Sequence, residues 1–144
     1  MIDLILHAST RAEMRTFAIN NNLLLELTDK ETGKTSFAPR PNSSWLWWYG
    51  NGKMVKAAAV LDTDGKITAP AKHFAGVFVI ARISGAKLKR DTLRKRFSSA
   101  TNGTRFGIPY REIDGVRLFN AAKLTEQLRS KGLPVHQWQG GNSF

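Results

Sequence analysis

The sequence predicts an α+β fold, in which a mixed or antiparallel sheet is combined with about three short helices. The chain has 144 residues, of which 42% are hydrophobic, and this is enough for one compact core. It opens with residues typical of a strand, a helix and a second strand. Near its end a strong hairpin signal is followed by a last helix, so strands and helices share one domain.

The expected organisation has three parts. Residues 1–86 form a core of strand, helix, strand and hairpin, and residues 87–135 add a basic helix, an Asp-Gly hairpin and the last helix. This second part is a candidate semi-independent helix–hairpin–helix unit, which we expect to pack on the core. Residues 136–144 form a C-terminal arm without a regular pattern.

The first two elements are a strand over Asp3–His7 and a helix that follows it. Thr10 and Glu13 stand at the spacing of a capping box, which satisfies free N–H groups in the first turn of a helix. Three apolar residues then follow at the spacing of one helix face: Met14, Phe17 and Ala18. Asn20–Asn22 ends the helix, because asparagine tolerates the left-handed conformation found there.

Several short strands are predicted next. Leu23–Leu27 and Thr35–Ala38 are the first candidates. Trp45–Tyr49 and Val55–Leu61 flank Gly50-Asn51-Gly52, which predicts a hairpin between them with a tight turn that glycine permits.

The strongest strand signal comes later, over Gly76–Ile83. A second turn at Asp62–Gly65 precedes it. The run Val77–Ile80 is apolar without interruption, and this lack of polar alternation predicts a strand that is buried on both faces.

The last third of the chain is predicted to hold two helices and a hairpin. Asp91 can cap a short helix over 92–100, and Ser98–Gly107 is predicted to be a flexible loop. Asp114-Gly115 lies between two alternating runs, which is a strong hairpin signal. The last helix is expected over Asn120–Ser130, with Asn120 as its N-cap.

The positive charge is concentrated in one segment. Lysine and arginine number 22 against 11 acidic residues, which gives a net charge of +11 and an isoelectric point near 10.5. Residues 87–111 hold eight basic residues against the single Asp91: Lys87, Lys89, Arg90, Arg94, Lys95, Arg96, Arg105 and Arg111. A surface of this kind attracts polyanions or an acidic protein face, so we take these eight residues as a candidate basic surface.

The motifs of common enzymes are missing from the sequence. The absence of cysteine excludes disulfides, a thiol nucleophile and thiolate metal sites, and the three histidines are far apart along the chain. Asp62-x-Asp64-Gly65 resembles the start of a calcium loop, but His73 stands where the bidentate glutamate is required. We therefore expect no enzyme, no cofactor and no metal, in a soluble protein without a membrane segment.

Aromatic residues provide two candidate protein interfaces. On a strand, Trp45, Trp47 and Tyr49 share one face, while Leu46 and Trp48 share the other. Either this strand is buried on both faces or one face meets a partner, and tryptophan and tyrosine are common interface anchors. In the C-terminal arm, the two further candidates are Trp138 and Phe144.

Three stretches resemble small proteins encoded among the structural genes of tailed bacteriophages and prophages. They are Ile2–Ala8, Asp62–Ala71 and Gly107–Phe119. The resemblance implies a virion or virion-assembly role in the tail, baseplate or neck region. It also implies other virion proteins as partners in a symmetric assembly, after synthesis in the host cytoplasm. It carries over no catalytic residue.

The sequence thus leads to one principal hypothesis and two others. The principal hypothesis is a non-enzymatic structural component of a tailed phage particle that acts through protein–protein contacts. The alternative is a small basic protein that binds nucleic acid through residues 87–111. A third hypothesis is a phage inhibitor that uses the same basic surface against an acidic host protein.

Overall fold

A computed structural model describes residues 2–39, 44–83 and 101–136. Within these ranges the chain forms twelve strands, two α-helices and a 3₁₀ turn at Tyr49–Gly52. The strands are β1 (Ile2–Ala8), β2 (Leu24–Thr28), β3 (Thr35–Pro39), β4 (Ser44–Trp48), β5 (Val55–Ala57), β6 (Val60–Leu61), β7 (Ile67–Ala69), β8 (Lys72–His73), β9 (Val77–Ile83), β10 (Thr101–Arg105), β11 (Ile108–Ile113) and β12 (Val116–Asn120). The helices are α1 (Arg11–Asn20) and α2 (Ala121–Ser130).

Six of the strands form one antiparallel sheet in the order β10-β11-β12-β1-β9-β4. β1 is central, and its Leu6 lies opposite Leu118 of β12 on one side and Val79 of β9 on the other. The remaining strands form three two-stranded sheets, β2–β3, β5–β8 and β6–β7. The start, middle and end of the described chain therefore meet in one sheet.

The sheet is buried on both faces by two separate clusters of apolar side chains. On one face, side chains of β1 and β9 pack with Met14 and Phe17 of α1. On the other face, alternate side chains of the same strands pack with Leu124 and Leu128 of α2. The prediction that the strand over Gly76–Ile83 is covered on both sides is confirmed.

Both helices begin at the predicted caps. The hydroxyl of Thr10 accepts a hydrogen bond from the Glu13 N–H at 3.1 Å, and the Glu13 carboxylate accepts one from the Ser9 N–H at 3.2 Å. The Asn120 side chain accepts from the Lys123 N–H at 3.0 Å. These bonds satisfy donors that have no partner inside the helix.

The predicted fold class is wrong in its balance of helix and strand. The protein is mostly antiparallel sheet, and the described residues contain two α-helices where about three were expected. The helix predicted over 92–100 lies outside those residues. A semi-independent C-terminal unit is also incorrect, because Phe119 of β12 pairs with Ile5 of β1 and both side chains belong to the same core cluster.

Two local predictions also need correction. The hairpin expected between Trp45–Tyr49 and Val55–Leu61 does not form, because β4 pairs with β9 and β5 pairs with β8. Gly50 and Asn51 both adopt positive φ, and Met54 just beyond them is fully buried in the α2-side cluster. The loop expected over Ser98–Gly107 contains β10, since β11 supplies hydrogen-bond partners that local composition does not reveal.

Candidate functional site

A two-stranded ribbon, Val55–His73, is an exposed part of the described chain. It consists of β5 and β8 near its base and β6 and β7 near its tip. No residue from Val55 to Val77 is buried. Eight residues lead from the base at Met54 to the turn at Asp62, and at the rise of a β-strand they span about 25 Å. The ribbon therefore projects from the body of the protein.

The tip of the ribbon carries three apolar side chains in solvent. Val60, Leu61 and Ile67 are 55%, 59% and 66% exposed, and Leu61 and Ile67 lie directly opposite each other. Cross-strand neighbours of this kind are close enough to form one patch. Exposed apolar side chains grouped at the end of a projecting element are typical of contact sites for other molecules.

The turn at the tip is held by one carboxylate. Asp62 Oδ1 accepts hydrogen bonds from the N–H groups of Asp64 at 2.9 Å and Lys66 at 2.8 Å. The Asp62 N–H donates to the Lys66 carbonyl at 2.8 Å, and Gly65 supplies the positive φ that the turn needs. The apolar patch is thus presented on an ordered turn, although the sequence resembled a calcium loop there.

The base of the ribbon is fixed to the sheet at two points. The Phe74 N–H donates to the carbonyl of Met54 at 2.9 Å, and Met54 itself is fully buried. Next to it, His7 Nε2 bonds to the Ala75 carbonyl at 2.8 Å. The imidazole of His7 also stacks on Phe78, with ring centroids 4.3 Å apart and planes 7° from parallel.

His7 begins a row of polar side chains across three strands, His7, Arg117 and Glu112. Because a carbonyl only accepts, Nε2 of His7 carries the proton, and Nδ1 faces Arg117 Nη1 at 3.4 Å as an acceptor. Arg117 Nε lies 3.9 Å from Glu112 Oε1. Burial lowers the pKa of His7, and the positive charges of Arg105 and Arg117 lower it further, so His7 is a neutral structural histidine.

The four tryptophan and tyrosine residues of the predicted interface lie on or beside the edge strand β4 and contribute largely to the core. Trp48 belongs to the α1-side cluster and Tyr49 to the α2-side cluster. Trp47 is half-buried against the α2-side cluster, and Trp45, also half-buried, lies opposite Arg82. Both faces of this strand therefore contact the protein itself. Trp138 and Phe144 lie outside the described residues.

Two residues of the predicted basic surface fall within the described residues, Arg105 and Arg111. Arg105 pairs with Ile108, and Arg111 stands three positions further along β11, so the two arginines occupy opposite faces of the sheet. The structure does not bring them together. The other six residues lie outside the described ranges: Lys87, Lys89, Arg90, Arg94, Lys95 and Arg96.

A cleft of about 420 Å³ lies at the end of the sheet where β1 and β4 end. It is lined by Arg11, Trp47, Trp48, Gly50, Asn51 and His136. The guanidinium of Arg11 lies 4.3 Å from the ring centroid of Trp48, and its Nη2 donates to the Asn51 carbonyl at 2.7 Å. These two contacts fix the position of this cation.

His136 forms the opposite side of the cleft. The backbone N–H of His136 donates to the Tyr49 hydroxyl at 3.3 Å. The imidazole ring meets the Tyr49 ring edge-on, with ring centroids 4.9 Å apart. Burial raises the pKa of Tyr49, so the phenol stays protonated. The ring of His136 approaches the backbone so closely that a Cβ at Gly50 would lie 2.8 Å from Nε2. A side chain at this position would therefore displace the ring of His136.

The described residues contain no group of three or more histidine, aspartate or glutamate side chains that could hold a metal ion. No helix in the described ranges is both long enough and apolar enough to span a bilayer.

Sequence reasoning missed Val60, Leu61 and Ile67, although it placed the turn between them. One signal was present. The sequence on either side of that turn carries small side chains at five positions, which provide little apolar surface for a core: Ala57, Ala58, Ala59, Ala69 and Ala71. Large apolar residues at the end of such strands have nothing of their own to pack against.

No protein-family model, curated protein or solved structure matches the chain significantly.

Proposed function

We propose that this protein is a non-enzymatic structural subunit of a tailed phage particle, which acts through protein–protein contacts made by the tip of the ribbon. The observation that carries the proposal is the exposure of Val60, Leu61 and Ile67 on an ordered, projecting turn. Burying the exposed part of each side chain in a partner would contribute about 1 kcal/mol. Three such side chains would form the apolar centre of an interface that has a polar rim.

The charges around the tip favour a protein partner over nucleic acid. Lys56, Lys66 and Lys72 make the ribbon basic as a whole, but Asp62 and Asp64 lie in the turn itself. A ribbon that entered a nucleic-acid groove tip first would bring these two carboxylates toward the phosphates. A protein surface with an apolar pocket and polar groups of both signs at its rim fits this tip better.

The assignment to a phage particle is supported by the resemblance of three stretches to phage and prophage structural proteins. One of these stretches, Asp62–Ala71, covers the turn of the ribbon and its second strand. The segment in which the resemblance lies thus includes Ile67 of the exposed apolar patch. A position in the tail, baseplate or neck is the corresponding proposal.

Incorporation into particles tests this proposal. The gene is deleted from the phage or prophage, and the deletion is complemented with the wild type or with Leu61→Glu/Ile67→Glu. We expect mass spectrometry of gradient-purified particles to detect the wild-type protein. The amount of the double variant in the particles should be lower by at least nine-tenths. Both substituted side chains are exposed, so the fold is retained.

The matched control is Leu27→Glu. Leu27 is 50% exposed on a different hairpin, β2–β3, and receives the same change of side chain. This variant should be incorporated like the wild type. Absence of the wild-type protein from particles, together with normal assembly of the deletion strain, would overturn the proposal.

A further inference from the structure

The cleft at the end of the sheet holds two donor groups for which the described residues provide few partners. Arg11 has five N–H donors, of which one bonds to Asn51. Within the part of the chain that the structure describes, no carboxylate pairs with it. The ring nitrogens of His136 likewise have no hydrogen-bond partner among the described residues. Both residues line one opening, together with Trp47 and Trp48.

The guanidinium is held in place before any ligand arrives. Trp48, which is buried, supports one flat face of it, and the Asn51 carbonyl fixes one edge. That carbonyl is directed by an unusual backbone, since Gly50 and Asn51 have φ of 43° and 60° in succession. Asn51 is not a glycine, and such a conformation costs free energy that other contacts must offset. A cation fixed in this way loses little conformational entropy when it binds an anion.

We propose that this cleft binds a small planar ligand that carries an anionic group, with Arg11 and His136 as the anion-binding residues and Trp47 as the contact for the ring. A guanidinium fork matches a carboxylate or phosphate in a two-point hydrogen bond. The open face of an indole or of the guanidinium accepts a planar ring. The cleft has the volume of small-molecule sites. This site is independent of the ribbon and of the proposed particle contacts.

The test is a titration of the full-length chain with small ligands, in which binding is monitored by the NMR signals of the tryptophan indole N–H groups. The probes are benzoate and phenyl phosphate, with benzamide as the neutral ring of the same shape. We expect saturable shifts of the Trp47 and Trp48 signals with at least one anionic probe, and about tenfold weaker binding of benzamide. The anionic probe that binds more tightly shows whether the anionic group of the ligand is a carboxylate or a phosphate.

Variants connect the binding to the named residues. Arg11→Gln should weaken binding of the anionic probe about tenfold or more, and Arg11→Lys nearly as much, because lysine keeps the charge without the planar fork. His136→Gln is a second variant that leaves Arg11 in place, and it should weaken binding severalfold. Arg129→Gln changes an exposed arginine of α2 that does not line the cleft, and this variant should bind like the wild type.

Three results would overturn the proposal. The first is the absence of saturable shifts with both anionic probes in the folded wild type. The second is binding of benzamide as tight as that of the better anionic probe, which would mean that the cleft recognises only the ring. The third is unchanged binding in both Arg11 variants while their spectra show the native fold.

Discussion

At the scale of single residues, the most constrained point of the protein is the contact between His7 and the base of the ribbon. His7 is 3% exposed, stacks on Phe78 and bonds to the Ala75 carbonyl. Gly76, the next residue, has φ of 90°, and a Cβ there would lie 2.5 Å from the carbonyl oxygen of Ala8. Neither role is visible in the sequence, because both depend on contacts between residues about 70 positions apart.

His7 makes the stability of the protein depend on pH. Its pKa in the folded state is below the usual value of about 6.5, so the unfolded chain binds more protons between the two values. The free energy of unfolding should therefore fall as the pH drops below about 6.5 and continue to fall through the folded-state pKa. Urea unfolding at a series of pH values measures this.

Two variants identify the source of this pH dependence. His7→Gln should cost about 1–3 kcal/mol at pH 7, because a packed, hydrogen-bonded ring is lost, and should flatten the slope between pH 5 and 6.5. His73→Gln changes an exposed histidine of the ribbon and should leave the slope as it is. A slope that persists in His7→Gln would contradict the assignment.

Substitution of Gly76 by alanine should reduce the free energy of unfolding more than the same substitution at another glycine with positive φ. Gly33 has φ of 70° and open space around its Cβ position, so Gly33→Ala should cost about 1–2 kcal/mol from the backbone alone. Gly76→Ala adds a clash with the Ala8 carbonyl and should cost at least about 2 kcal/mol more. Denaturant unfolding of both variants gives the comparison, and equal losses would show that the clash relaxes freely.

At the scale of elements, short sequence patterns predicted the helix caps and the turn, which depend on contacts between residues close together in the chain. The Thr10 cap, the Asn120 cap and the Asp114-Gly115 turn are all present, and the turn has positive φ at both residues, as a two-residue hairpin requires. The choice of strand partners was not predictable. Trp48 pairs with Val79, which lies 31 positions along the chain, and no local pattern encodes that distance.

In the ribbon, too, the sequence predicted the turn but not which apolar side chains are exposed, and these side chains are the proposed contact site. Its turn was predicted from the sequence, but the apolar run beside it was assigned to an ordinary hairpin with Trp45–Tyr49. Exposure depends on what the rest of the chain covers, and the sheet is already covered on both faces by α1 and α2. Of the predicted interface residues, Trp48 and Tyr49 are buried in the core clusters, whereas Leu61 and Ile67 are exposed.

The order of the ribbon tip should depend on Asp62. Asp62→Ala removes the carboxylate that accepts two backbone N–H groups, so the turn should open more often. We expect amide hydrogen exchange to quicken about tenfold in β6 and β7, while exchange in β1 and β9 and the melting temperature stay the same. Thr63→Ala in the same turn is the control and should exchange like the wild type, and a uniform change over the whole chain would contradict this account.

At the scale of the whole molecule, the protein combines a sheet with two covered faces and a ribbon that projects from it. The net charge of +11 is that of the full sequence. Of the basic residues over 87–111, Arg105 and Arg111 are described, and they occupy opposite faces of the sheet. The described part of the chain presents an apolar patch at the tip of the ribbon. This exposed patch is the observation on which the proposed structural role rests.

The most direct test of that role is site-specific photo-cross-linking at the ribbon tip during particle assembly. A photoreactive phenylalanine analogue replaces Ile67, or Arg129 as a control on the exposed side of α2. We predict that position 67 gives one dominant cross-link to a particle protein and that position 129 does not. Cross-links from position 67 to nucleic acid, or none at either position in cells that assemble particles normally, would contradict the account.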